Sequence, residues 1–122
     1  RPAEDFLRAI RADDLTAVKS MSADGVGVRD RLDWTPLHYA ALYGSAEAVR
    51  IVLAAGGDPN AQNRAKITPL MMGAYSLEKT RLLLDKGGNV NAQSSDGSTP
   101  LWVALGARGN DPARAVSIFV RP

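Results

Sequence analysis

One tripeptide governs what this chain can fold into. Thr-Pro-Leu stands at residues 35–37, 68–70 and 99–101, spaced by 33 and then 31 residues. A second pattern interleaves with it: Gly56-Gly57-Asp58-Pro59-Asn60-Ala61-Gln62 matches Gly87-Gly88-Asn89-Val90-Asn91-Ala92-Gln93. Each glycine pair begins 12 residues before the next Thr-Pro-Leu. Two motifs recurring at a near-constant period mark a chain built of stacked units, none able to bury its own apolar face alone.

The residue types explain one unit. The threonine can cap a helix N-terminus by accepting from a free backbone N–H. Proline follows at the first helical position, where a missing N–H costs nothing. The segment from Leu37 to Tyr43 reads as a short helix whose alanines let a neighbour approach closely. Gly44 and Ser45 punctuate it. Ala46 to Ala54 reads as a second helix, with Val49, Val52 and Leu53 on one face. Gly56 and Gly57 end that helix, and a polar stretch leads to the next threonine.

Thr35-Pro36-Leu37-His38 followed by Ala40-Ala41, then Gly56-Gly57-Asp58-Pro59-Asn60-Ala61, resembles the ankyrin repeat. The resemblance covers roughly residues 4 to 122. It implies an all-α, ankyrin-type helix-turn-helix solenoid of about four repeats, with extended loops or hairpins between them. The expected division of this single domain, 1–122, is a degenerate N-terminal cap at 3–34, a repeat at 35–67, a repeat shortened by two residues at 68–98, and an incomplete repeat at 99–122. In the cap, Ala3 to Ala12 forms the first helix with Phe6, Leu7 and Ile10 inward, and Asp13-Asp14 begin the second. The shortened repeat predicts a tightened turn after Tyr75. Aligning Ala115-Val116 with Ala48-Val49 predicts about three inserted residues at 106–111, with Pro112 opening the last helix.

Composition excludes several functions. With no cysteine, thiolate catalysis, cysteine metal sites and disulfides are out. That composition fits a cytoplasmic chain and equally an exported one. The net charge is only +2 despite a pI near 9.2, with no basic tail, so nucleic acid is a disfavoured partner. No apolar run approaches the roughly 20 residues of a membrane span. His38, the only histidine, is expected to bond near its threonine, since Met71 and Trp102 replace it in the other units. The glycine pairs follow helices and precede no Gly-Lys-Ser/Thr, so they cap helices rather than cradle phosphate. Neither a cofactor nor a metal nor a catalytic group is proposed by the sequence.

What remains is binding of a protein partner. In proteins of the resembled family, partners usually meet the concave side formed by loop tips and first helices. Carried onto this chain, that side offers Arg31, Leu32, Trp34, Leu42, Tyr43, Arg64, Ile67 and Tyr75, concentrated in the N-terminal half. Tryptophan, tyrosine and arginine are the types enriched at binding hot spots. The loop tips carry Asp33 and Lys66 where the third has Gly97, which predicts looser turns at the first two. At the other end, Ile118, Phe119 and Val120 are expected to lie open, where a further unit would cover a middle repeat. The chain then reads as a fragment of a longer chain or a truncated array, and the alternative to partner binding is a structural or regulatory domain packing in cis on another domain of a longer protein through this open end.

Overall fold

The computed structural model describes residues 2–107 and 110–120. Among these it contains eight helices and no strand: α1 (Pro2–Arg11), α2 (Leu15–Gly25), α3 (Pro36–Tyr43), α4 (Ala46–Ala54), α5 (Pro69–Gly73), α6 (Leu77–Asp85), α7 (Pro100–Gly106) and α8 (Pro112–Phe119). They pair as antiparallel hairpins, and the hairpins stack. The first helices pack α1 on α3 on α5 on α7, and the second helices α2 on α4 on α6 on α8. The result is a two-layer row in which each unit's core is completed by its neighbours.

Caps recur because the sequence supplies them. Thr35, Thr68 and Thr99 each accept from the backbone N–H three residues on, opening α3, α5 and α7 with proline next. Asp14, Ser45, Ser76 and Asp111 open the second helices. Four residues after each of those caps stand Val18, Val49, Thr80 and Ala115, all fully buried. Thr80 is tolerated there because its hydroxyl donates to the Ser76 carbonyl at 2.9 Å. Leu37, Leu70 and Leu83 are also fully buried, each contributing about 2 kcal/mol by leaving water. Gly56 and Gly87 adopt positive φ beyond α4 and α6, which a side chain would resist.

The irregular spacings resolve differently from the sequence expectation. From the threonine to the second-helix cap the distance is ten residues for Thr35 to Ser45, eight for Thr68 to Ser76 and twelve for Thr99 to Asp111. The shortening falls in the first helix: α5 has five residues against eight in α3, and the turn spans 74–76, with Tyr75 inside it rather than before it. The insertion measured from the caps is two residues, not three, so Ala115 rather than Val116 aligns with Val49; of the expected 106–111 segment, residues 108 and 109 lie outside the described residues. Each departure is met by a side chain that caps a freed carbonyl. Tyr75 Oη donates to the Leu42 carbonyl at 2.7 Å, and Lys79 Nζ to the Ala41 carbonyl at 3.1 Å. In the longer unit, Asn110 Nδ2 donates to the Ala74 and Ala104 carbonyls at 3.0 and 3.1 Å.

The expected open end is also corrected. Ile118 and Phe119 are buried within the chain, and only Val120 of the three is exposed. The apolar exposure at that end comes instead from Trp102, Leu105, Val116 and Val120.

Candidate partner-binding surface

The loops before α3, α5 and α7 share one construction. Asp30, Asn63 and Ser94 each stand five residues before a capping threonine. The Asp30 carboxylate accepts from the Leu32 and Trp34 amides, both at 2.9 Å, and the Asn63 side-chain oxygen accepts from the Ala65 and Ile67 amides at 2.9 and 3.0 Å. Ser94 Oγ accepts from the Ser98 amide at 3.2 Å. Backbone bonds close each loop on itself: Asp30 N to Trp34 O, Asn63 N to Ile67 O and Ser94 N to Ser98 O. The tips at Asp33, Lys66 and Gly97 have φ of 64°, 59° and 86°. The first two turns are therefore not looser; aspartate and lysine are held in the left-handed conformation that Gly97 adopts freely.

Adjacent loops are bonded to one another. The Arg64 amide donates to the Leu32 carbonyl at 3.1 Å and the Ser95 amide to the Ala65 carbonyl at 2.8 Å. Arg29 Nη1 donates to the Gln62 carbonyl at 2.9 Å. This ladder brings Arg31, Leu32 and Arg64 together as an exposed edge, with Leu32 56% exposed.

Trp34 is half-buried within the loop core rather than projecting from it. Its ring lies 4.9 Å from Tyr39 and 6.0 Å from His38, centroid to centroid. The Tyr39 hydroxyl donates to the Asp30 carboxylate. Burial pushes Asp30 upward, but the bonds from Tyr39, Trp34 and Leu32 outweigh it and hold its carboxyl below the usual value. Burial, together with that same carboxylate, raises Tyr39 above the ordinary phenol range. Ile67 is half-buried too, and its carbonyl serves His38.

His38 is fully enclosed and its tautomer follows from its partners. Nδ1 accepts from the Thr35 amide at 3.0 Å, so Nε2 carries the proton toward the Ile67 carbonyl at 2.8 Å. Burial lowers its pKa below 6.5 and keeps it neutral. It joins one unit to the next.

The remaining predicted residues gather at the opposite end of α3, an eight-residue helix and so about 12 Å away. Leu42 is half-buried, while Tyr43 and Tyr75 are 44% and 39% exposed. The Arg11 guanidinium sits 4.7 Å over the Tyr43 ring and the Lys79 ammonium 4.5 Å over Tyr75, whose hydroxyl it also contacts. Burial lowers Lys79 to about 8. The eight predicted residues thus form two clusters, not one patch.

Sequence reasoning missed Asp30, Asn63 and Ser94, although their constant offset from threonine was a visible signal. It also missed Arg11 and Lys79, for which no periodic signal exists. Among the described residues no group of three His, Cys, Asp or Glu could hold a metal ion, and no helix is long and apolar enough to cross a membrane.

Residues 26–72 match the family described as ankyrin repeats (many copies). That segment is of the ankyrin-repeat family, and the helix pairs on either side of it stack on it in the same way. It is 47% identical over 45 residues to a transient receptor potential cation channel subfamily A member 1 homolog of Caenorhabditis elegans, covering 37% of this chain and 4% of that protein. It is 39% identical over 57 residues to the mitochondrial disaggregase of Homo sapiens, covering 45% and 8%. It is 29% identical over 70 residues to the 2-5A-dependent ribonuclease of Mus musculus, covering 55% and 10%. The chain therefore spans at most a tenth of these relatives' length. Ankyrin repeats are generally protein–protein interaction modules, and the family is generally non-catalytic.

Proposed function

We propose that this chain is a single four-unit ankyrin domain that binds a protein partner on the face formed by its loops and first helices, in the N-terminal half. The observation that carries this reading is the pair of exposed tyrosines, Tyr43 and Tyr75, held by Arg11, Lys79 and the Leu42 carbonyl. Pre-ordered aromatic rings bind at low entropic cost. Leu32, Arg31 and Arg64 form the second contact point, with Trp34, Ile67 and Leu42 supporting from beneath. A fitting partner offers an apolar anchor flanked by acidic groups.

Selection of a displayed peptide library against the folded chain tests this. Recovered binders should be rich in acidic and apolar residues and lose about tenfold or more in affinity on Tyr43→Ala or Leu32→Ala. Binders indifferent to both changes, but weakened by Arg50→Ala or Arg81→Ala on the second helices, would contradict the reading. A second reading, that the C-terminal end packs in cis on another domain, is favoured by Trp102, 70% exposed on α7.

A further inference from the structure

Of the lysines, arginines and carboxylates among the described residues, only Lys79 is buried, at 5% exposure. Its surroundings are all uncharged. Nζ donates to the Ala41 carbonyl at 3.1 Å and to the Tyr75 hydroxyl, and it lies 4.5 Å over the Tyr75 ring. No carboxylate of the described residues forms an ion pair with it; Asp5 pairs with Arg8, and Glu47 with Arg50. The elements packed around it explain why. On α3 the titratable groups are His38, Tyr39 and Tyr43, with no acid, and α5 has none at all. Glu47 on α4, Glu78 and Asp85 on α6 and Asp111 before α8 are exposed at the surface. So are the cations of those helices, Arg50, Arg81, Lys86 and Arg114. Burial without a counter-charge lowers the Lys79 pKa to about 8.

An ammonium taken out of water and met only by dipoles is incompletely compensated. The ring that covers it is itself 39% exposed, on the face assigned above to a partner. The edge of an aromatic ring carries the positive side of its quadrupole, so a carboxylate is welcome against the rim of Tyr75. From there it is close to the ammonium, and the flexible lysine stem lets Nζ turn toward it. In the preceding unit Arg11 lies over Tyr43 in the same manner, 4.7 Å from the ring centre. The chain's own acid at that end, Asp13 in the turn between α1 and α2, already accepts from Ser45 Oγ at 2.7 Å.

Resting on the reading that Tyr43 and Tyr75 bind a protein partner, we propose that an aspartate or glutamate of that partner docks at the edge of Tyr75 and supplies the counter-ion that Lys79 lacks. Lys79 is then the residue that selects an acid at this place, and Tyr75 is the surface that positions it. The pairing has a consequence in protons. In the free chain the amine is partly neutral near pH 8, and in the complex it is an ammonium. Binding therefore takes up a proton, and affinity falls as pH rises through about 8.

The probe is an N-acetylated peptide recovered in the library selection above, beside a copy in which every Asp and Glu is replaced by Asn and Gln. Titration calorimetry at pH 8 in two buffers of different ionisation enthalpy counts the protons. The unaltered chain should take up about half a proton per acidic peptide, and its affinity should fall about tenfold from pH 7 to pH 9. It should bind the amide copy several-fold more weakly, with no uptake. Lys79→Arg keeps a charge that does not titrate, so it should bind the acidic peptide with no uptake and a flat pH profile. Lys79→Met should also show no uptake, and should bind the acidic peptide and the amide copy alike. Tyr43-dependent binding without proton uptake, or uptake that persists in both Lys79 variants, would overturn the proposal and leave the reading beneath it intact. Recovered peptides that contain no acidic residue would do the same. Peptides indifferent to both Tyr43→Ala and Leu32→Ala would overturn the two together.

Discussion

His38 and Trp102 occupy the same place, third in the first helix of a repeat, yet one is fully enclosed and the other 70% exposed. The difference is not in the helices, which begin with the same Thr-Pro-Leu. It lies in what packs against each side chain among the described residues. His38 is completed by the Ile67 carbonyl of the next unit, whereas no described unit follows Trp102. In a stacked chain, burial belongs to the neighbour as much as to the residue.

Replacement of each sharpens that contrast most. His38→Ala should destabilise the chain by about 3 kcal/mol, because it opens a cavity and strands the Thr35 amide and Ile67 carbonyl. Trp102→Ala should cost about 0.5 kcal/mol or less. Urea unfolding of the two variants measures both, and equal losses would break the comparison.

The next effect is on pH. His38 is held neutral with a pKa below 6.5, so the unfolded chain binds its proton more readily. Stability should fall as pH drops through about 6.5, and His38→Gln should flatten that limb. Lys79 gives a slope on the alkaline side. Its folded pKa is about 8 against 10.5 in an exposed lysine, so the unfolded state again holds the proton more tightly. Stability should rise between about pH 8 and 10, before the raised Tyr39 and Tyr75 begin to oppose it, and Lys79→Met should remove the rise. Unfolding midpoints at stepped pH decide both signs.

Two smaller effects compare the ordinary units with their exceptions. Ser22 is buried in α2 with its hydroxyl unpartnered, so Ser22→Ala should stabilise by about 1 kcal/mol. At the loop tips, Lys66→Gly should stabilise by up to about 1 kcal/mol and Gly97→Ala should cost a similar amount, since both sites hold positive φ. Equal insensitivity at both tips would show that the turns are not the common shape described.

Much of this was legible beforehand. Thr-Pro-Leu and the glycine pairs are local chemistry, caps and helix ends, and they located the helices and the repeat. The structural role of His38 was readable because its equivalents could not share it. The state of Trp34 was not. Whether its ring projects or packs depends on Tyr39 and Asp30 folding beneath it, a contact with no periodic signature. Tyr75 and Lys79 were harder still. Their positions follow from a first helix shortened by a turn, which exposes the Ala41 and Leu42 carbonyls to side chains of the next unit. Ile118 and Phe119 were misplaced through a one-residue error in register, because Ala115-Val116 imitates Ala48-Val49 while the cap at Asp111 sets a different count.

Native-state hydrogen exchange shows directly whether coverage by neighbours decides the state of each unit. The most protected amides are expected in α3 to α6, with α7 and α8 exchanging through local opening at clearly lower free energy. Equal protection in α7–α8 and α3–α6 would contradict it.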